Sequence, residues 1–109
     1  MDTTQLLKGV LDTAVLAVLR RGSTYGYDLV RQLRDAGFDE VGDASVYGTL
    51  RRLFGGGYLT SEIVPSDEGP PRKYYGLNKA GRDMLDSATK TWGHFSLVMT
   101  DLLSEEAAA

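Results

Sequence analysis

Apolar residues recur along the chain at intervals that predict helices in its first half. Between residues 5 and 20 they fall at i, i+3 and i+4, the pattern of a helix with a buried face. The same spacing over residues 24–36 and 43–54 predicts two further amphipathic helices. Glycine follows each segment and is expected to end the helix. The expected N-caps of the second and third helices are side-chain oxygens, from Ser23 or Thr24 and from Asp43 or Ser45.

The pattern changes to alternation after the third helix. Residues 58–64 and 72–77 are rich in aromatic and β-branched side chains, and each predicts a strand. The intervening sequence, PSDEGPP, consists mostly of residues that favour turns. We therefore expect a two-stranded β-hairpin with a seven-residue loop.

A fourth helix is expected from its N-cap at Asn78 to about Leu103, and its apolar residues from Leu85 onwards follow a heptad pattern. A helix of about 25 residues is roughly 37 Å long, which is longer than the small domain formed by the preceding residues can cover. The pattern therefore predicts a homodimer in which residues 1–78 form the head and residues 79–109 form the dimerisation helix with a short tail. The apolar positions of the expected interface are Leu85, Ala88, Trp92, Phe95, Met99 and Leu102.

Three helices followed by a hairpin is the order of a winged helix-turn-helix, so the predicted fold is mainly α with a small β-hairpin. In that fold the third helix can enter the major groove of double-stranded DNA, and the hairpin, or wing, lies along the neighbouring backbone. Polar and cationic side chains on these two elements are the candidate DNA contacts. They are Ser45, Tyr47, Thr49, Arg51 and Arg52 on the helix, and Arg72 and Lys73 on the hairpin.

The charge distribution leaves two classes of partner open. The net charge is −3, yet residues 44–79 carry five Lys/Arg and three Asp/Glu, a local balance of +2. The basic middle favours DNA as the partner. The acidic total favours the alternative, a winged helix module that joins proteins without binding DNA.

Other classes of function have little support. The chain has no cysteine and no phosphate-binding motif, and His94 is its one histidine, without neighbours that would complete a metal site. We therefore expect no metal, no cofactor and no catalysis. The longest apolar run, residues 14–19, is too short to cross a bilayer, and we see no signal peptide, so we expect no membrane contact and a cytoplasmic location.

Several stretches resemble the PadR family of transcriptional regulators, in particular its short members with a single C-terminal helix. They are GVLDTAVLAVLRRGSTYGYDLVRQL (9–33), SVYGTLRRLFGGGYL (45–59) and GPPRKYYGLNKAG (69–81), together with Trp92 in the last helix. Two positions depart from the family pattern. Gly48 stands where proline is common after the helix tyrosine, and LFGGGYL replaces a stretch that commonly contains glutamate. These departures bear on DNA specificity more than on DNA binding.

The resemblance implies a DNA-binding regulator, most often a repressor, and a DNA contact by Tyr47. The residues themselves leave other roles open. Tyr47 can equally pack on the helix surface, and adjacent Arg51 and Arg52 point about 100° apart, so at most one is expected to face a base. Arg72 and Lys73 can form a solvated strand end, although phosphate contact is favoured because phosphates are the commonest partners in protein–DNA interfaces.

Aromatic residues pose a similar choice. Tyr74 and Tyr75 alternate across a strand, and we expect one to pack on the core while the other lines the surface. Trp92 is expected chiefly in the dimer interface. The resemblance adds a cavity between the subunits in which Trp92 and Phe95 would stack on a small aromatic effector.

Overall fold

The computed structural model describes residues 3–105, which form helices around a small antiparallel sheet. The helices are α1 (Thr4–Arg20), α2 (Gly26–Asp35), α3 (Asp43–Gly55) and α4 (Lys79–Leu103), and the strands are β1 (Thr24–Tyr25), β2 (Leu59–Ser66) and β3 (Gly69–Leu77). The winged helix architecture predicted from the sequence is confirmed, including the long C-terminal helix.

The hydrophobic core lies between α1, α2 and α3 and is closed by the sheet. Helix α1 contributes most to it, because its apolar face is wide enough to contact several neighbouring elements at once. Its buried side chains are Leu11, Val15, Leu16, Val18 and Leu19. The core thus fixes α3 on one side of α1, with its opposite face directed outwards.

The sheet has a third strand that the sequence pattern did not predict. Its order is β1-β3-β2, and β1 pairs Thr24 with Tyr75 and Tyr25 with Tyr74. Helix α2 therefore begins at Gly26, two residues later than expected. The prediction that Ser23 or Thr24 caps α2 is wrong, because Tyr25 occupies the N-cap position and provides no side-chain hydrogen bond.

The hairpin is longer and its turn tighter than predicted. Strands β2 and β3 pair from Leu59 opposite Leu77 to Ser66 opposite Gly69, with an irregularity between Val64 and Ser66. The three prolines, which were placed in a loop, lie within these strands. Proline is tolerated at such positions where its nitrogen is not required to donate to a neighbouring strand.

Helix α3 begins as expected but without the predicted side-chain cap. Gly42 is its N-cap residue, and neither Asp43 nor Ser45 provides the capping hydrogen bond. The carboxylate of Asp43 instead accepts a hydrogen bond from Arg34 Nη2 at 3.1 Å. At the other end Gly57, with φ of 88°, allows the chain to turn from α3 into the wing.

The base of α4 is fixed to the head. Asn78 caps the helix as predicted: its Oδ1 accepts a hydrogen bond from the Gly81 amide at 2.8 Å, while its Nδ2 donates to the Gly57 carbonyl at 2.8 Å. Gly81 is buried against the carbonyl of Tyr58, and a side chain there would overlap that oxygen. These contacts join the start of α4 to the link between α3 and the wing.

The placement of Leu85 corrects the predicted dimer seam. Its side chain is only 2% exposed and belongs to the core of its own subunit, because α4 packs on α1 and β3 near its start. Ala88 is half-buried, and the apolar side chains beyond it are exposed. Helix α4 thus extends away from the head, giving a shape of 61 × 29 × 20 Å. None of the helices in residues 3–105 is long and apolar enough to cross a membrane.

Candidate nucleic-acid interface

The buried face of α3 includes one of the predicted DNA contacts. Val46, Leu50 and Leu53 pack into the core, and Thr49 is only 4% exposed beside them. Its Oγ1 donates a hydrogen bond to the Ser45 carbonyl at 2.8 Å, which satisfies the hydroxyl within the helix. The prediction that Thr49 lies on the exposed face is therefore wrong, and its role is in packing.

The outward face of α3 carries Ser45, Tyr47 and Arg51. Ser45 and Arg51 are exposed, and Tyr47 is 37% exposed. Gly48 lies on the side of the helix opposite Leu50 and Leu53, as expected at 100° per residue. A Cβ at Gly48 would be 3.9 Å from Arg51 Nη2, so the guanidinium of Arg51 lies close to this bare part of the backbone.

Arg52 is held by an ion pair within the subunit. Its Nη1 and Nη2 donate to the two carboxylate oxygens of Asp12 on α1, each at 2.7 Å. The hydrogen bonds from Arg52 lower the pKa of Asp12, although partial burial opposes the shift. The carboxylate in turn raises the pKa of Arg52. The two adjacent arginines of α3 therefore differ, because Arg52 is joined to α1 whereas Arg51 faces outwards.

The two wing cations lie on aromatic rings. The guanidinium carbon of Arg72 is 4.3 Å from the ring centroid of Tyr25, within the range of a cation–π interaction. Lys73 Nζ is 5.2 Å from the ring centroid of Phe54 and 5.4 Å from that of Tyr75. These contacts restrict the cations while their charges stay at the surface, where both residues are exposed.

Residues Tyr74 and Tyr75 divide between the surface and the core. Tyr75 is buried, and its ring meets Phe54 edge to face with centroids 6.3 Å apart. Tyr74 is half-buried, and its ring lies 5.3 Å from that of Tyr25 on the neighbouring strand. The alternation expected from the strand pattern is thus present.

A cleft of about 400 Å³ lies between α3 and the wing. Its walls come from three parts of the chain: β1 and the start of α2, the exposed side of α3, and β3. The lining residues are Tyr25, Gly26, Tyr27, Tyr47, Arg72, Lys73 and Tyr75. Four tyrosine rings and two cations therefore surround one opening. The cations suit the phosphates of a polyanion, and the rings suit its less polar sugar groups.

Four residues that line this cleft were not among the predicted DNA contacts: Tyr25, Gly26, Tyr27 and Tyr75. Tyr25 and Gly26 were placed at the start of the second helix, and Phe54, whose ring lies under Lys73, was placed at the end of the third helix. Their roles depend on pairing between β1 and β3, which brings together positions about 50 residues apart. The signal available in the sequence was the Tyr-Gly-Tyr run at 25–27, whose aromatic residues flank a glycine.

The start of α2 is stabilised by Asp28. Its carboxylate accepts hydrogen bonds from Thr24 Oγ1 and Gln32 Nε2, each at 2.7 Å, and is also paired with Arg31. The hydrogen bonds from Thr24 and Gln32 are the main reason that the pKa of Asp28 is lowered. This network joins β1 to the first two turns of α2 and so fixes one wall of the cleft.

A second candidate surface is the exposed apolar part of α4. Trp92 and Phe95 are 51% and 56% exposed, and their rings stack with centroids 6.1 Å apart and an interplanar angle of 27°. The other large exposed apolar side chains of the helix are Leu97, Val98, Met99, Leu102 and Leu103. His94 is also exposed, and residues 3–105 contain no cluster of three or more His, Cys, Asp or Glu suited to a metal ion.

Comparison with solved structures identifies close relatives of this fold. A transcriptional regulator from Streptococcus is 36% identical, with a TM-score of 0.82 over 93% of this chain and 99% of that one. A PadR-like transcriptional regulator from Bacillus cereus is 33% identical, with a TM-score of 0.83 over 93% of this chain and 98% of that one.

The structure of a more distant relative was solved as a complex with DNA. The Bacillus subtilis PadR structure, a complex with operator DNA, is 26% identical, with a TM-score of 0.67 over 73% of this chain and 46% of that one. In addition, residues 15–87 match the profile of the transcriptional regulator PadR-like family. This segment contains α3, the wing and every residue of the cleft. The chain therefore belongs to the PadR-like family of transcriptional regulators, which are not enzymes, and has their DNA-binding winged helix fold.

Proposed function

We propose that the protein is a homodimeric transcriptional repressor that binds a pseudo-palindromic operator with α3 and the wing. The observation that carries this proposal is the cleft between them, where Arg72 and Lys73 lie on aromatic rings in a chain whose net charge is −3. Cations concentrated at one surface of an acidic protein favour binding of a polyanion there. Binding of chromosomal DNA would place the protein in the cytoplasm.

The proposed contacts divide between the DNA backbone and the bases. Arg72 and Lys73 would neutralise phosphates beside the major groove, which positions the head without selecting a sequence. Ser45, Tyr47 and Arg51 would reach base edges or nearby phosphates from the exposed face of α3. Arg52 would act mainly by holding α3 against α1, because its guanidinium already forms two hydrogen bonds with Asp12.

Dimerisation through α4 would cover its exposed apolar side chains. Phe95, Met99 and Leu102 recur at heptad positions and lie outside the core of the subunit. Burying a large apolar side chain stabilises an interface by about 1.5–3 kcal/mol, so pairing several of them in two helices is strongly favourable. Two-fold symmetry would then place the two copies of α3 at half-sites about 34 Å apart or a multiple of that distance. A dimer on an operator that overlaps a promoter would exclude RNA polymerase.

A small aromatic effector would bind near Trp92 and Phe95 in the proposed dimer. Their stacked, half-exposed rings provide a flat apolar surface on which a planar molecule can lie. Bound between the subunits, it would release DNA by changing the distance between the heads.

Selection of bound fragments from the source genome tests DNA binding and identifies the operator in one experiment. The affinity for a selected fragment should fall steeply as salt rises, with a slope set by the number of phosphates contacted. Failure to enrich any fragment would instead favour the alternative, a module that binds other proteins, which the net charge of −6 for two chains would suit.

A further inference from the structure

The ring of Tyr47 lies directly against Gly26, the first residue of α2. A Cβ at Gly26 would be 2.8 Å from Tyr47 Cδ1, 2.9 Å from Cζ and closer still to Cε1. Carbon atoms that are not bonded pack at about 3.5–4.0 Å, so no side chain fits at position 26 while the ring stays where it is. Gly26 therefore provides the surface on which Tyr47 rests.

The backbone does not require glycine at this position. The described glycines with positive φ are Gly22, Gly37 and Gly57, so Gly26 has a conformation open to other residues. Alanine is also more favourable than glycine in a helix. The three atoms nearest to such a Cβ all belong to the Tyr47 ring, which is thus the first obstacle to a side chain at position 26.

If a side chain were added, the ring would move more readily than the helix. The start of α2 is held by the hydrogen bonds of Asp28 with Thr24 and Gln32, and the backbone at Gly26 is buried. Tyr47 is more than one-third exposed, and its ring borders the open cleft. Rotation of the Tyr47 side chain would therefore relieve the overlap, and the ring would enter the cleft that Arg72 and Lys73 line.

We infer that Gly26 is a positioning residue for DNA recognition: it holds the Tyr47 ring back against α2, so that the cleft between α3 and the wing stays open to the DNA backbone. The inference rests on the proposed function for its effect on DNA, but the contact itself can be tested without DNA. It assigns to the Tyr-Gly-Tyr run a role in the interface and not only in starting α2.

The test is a double-mutant cycle with Gly26→Ala, Tyr47→Ala and the combined variant. The probe is a duplex that the wild-type protein selects from a random-sequence pool, and affinity is measured by fluorescence anisotropy. Gly26→Ala should weaken binding about tenfold, whereas in the Tyr47→Ala background it should change affinity less than about twofold. Tyr47→Phe is the matched control, since it keeps the ring and should preserve the full effect of Gly26→Ala.

Equal losses in both backgrounds, or no loss with Tyr47 present, would overturn the inference. If Gly26→Ala alone does not fold, recovery of folding in the combined variant supports the steric contact, and continued misfolding contradicts it.

Nuclear magnetic resonance tests the contact independently of DNA. Nuclear Overhauser effects between the Gly26 Hα protons and the Tyr47 ring should be present in the wild type. Their absence would overturn the inference even if the protein binds DNA. Their presence in a protein that selects no DNA would overturn the proposed function, and with it the effect on DNA, but not the contact between Gly26 and Tyr47.

Discussion

Asp12 and Arg52 form a bidentate ion pair that joins the middle of α1 to the last turn of α3. Both oxygens of the carboxylate and two nitrogens of the guanidinium take part, each pair of atoms 2.7 Å apart. Bidentate geometry fixes the orientation of the guanidinium as well as its distance. The pair therefore restricts how far α3 can rotate on the core.

Asp12→Asn should lower the free energy of unfolding by about 0.5–1 kcal/mol at pH 7, because both groups are half exposed and the pair is partly screened by solvent. The pKa of Asp12 is lowered in the folded state, so its contribution is present above the unfolded value of about 3.9 and is lost as pH falls through the folded value. Urea unfolding from pH 7 to pH 3 should therefore show the two proteins converging in acid.

Asp83→Asn is the matched control for this measurement, since it removes a more exposed pair, with Lys79, from one turn of α4. It should change stability by only a few tenths of a kcal/mol. An Asp12→Asn effect no larger than this, or one that grows as pH falls, would show that the contact between α1 and α3 stabilises the protein no more than an exposed pair within one helix does.

Arg72→Ala combined with Lys73→Ala should weaken binding to all DNA sequences and make the affinity less dependent on salt. Each phosphate contact contributes about 0.9 to the slope of log affinity against log salt, so the slope should decrease by about 1.8 per subunit. Titrations by fluorescence anisotropy at several salt concentrations measure this slope. Arg82→Ala with Lys90→Ala removes the same charge from α4 and should leave the slope nearly unchanged; equal changes in the two variants would contradict the wing contact.

Gly48→Ala should stabilise the protein while weakening its binding to DNA. Alanine is more favourable than glycine inside a helix by about 1 kcal/mol, and the added methyl group would make an ordinary contact 3.9 Å from Arg51 Nη2. Thermal unfolding should therefore occur about 4–8 °C higher. The same methyl group would project from the outward face of α3, so affinity for the selected duplex should fall. Unchanged affinity would mean that the duplex does not approach α3 closely at this position.

Leu85→Asp and Phe95→Asp should have different effects, although both residues lie in the same heptad pattern. Leu85 is buried within the subunit, so a carboxylate there should unfold the head. Phe95 is exposed, so a carboxylate there should disrupt the proposed dimer and leave folded monomers. Sedimentation with circular dichroism separates the two outcomes. An intact Phe95→Asp dimer would exclude this face of α4 as the interface.

Trp92 provides a direct test of effector binding, because it is the one tryptophan in the chain. A planar aromatic molecule stacked on Trp92 and Phe95 should quench its fluorescence in a saturable manner and should release DNA over the same concentration range. Phe95→Leu keeps an apolar side chain but removes the stacked ring, so it should weaken the quenching. Release of DNA without quenching would place the effector elsewhere.

Local patterns in the sequence were sufficient to predict the helices, the wing and the cap at Asn78. They failed where distant parts of the chain meet. The two residues of β1 are too few to produce a pattern, and their pairing with β3 depends on the tertiary fold. Thr49 was placed on the surface because threonine is compatible with either face, whereas its position next to Val46 and Leu53 buries it.

The predicted dimer seam was wrong at Leu85 for a related reason. A heptad pattern identifies apolar positions on one face of a helix, but it does not distinguish contacts within a subunit from contacts with a partner. The aromatic partners of Arg72 and Lys73 could not be predicted either, because Tyr25 and Phe54 reach them only once β1 and the end of α3 pack beside β3.

The anchoring of α4 at Asn78, Gly81 and Leu85 has a mechanical consequence. No hinge separates the base of this helix from the wing, because its first turns share hydrogen bonds and core packing with the segment that ends α3. In the proposed dimer each head and its α4 helix would rotate as one rigid unit. A change of a few degrees in the crossing angle of the two α4 helices would then change the distance between the two heads on the duplex without being absorbed by a flexible joint.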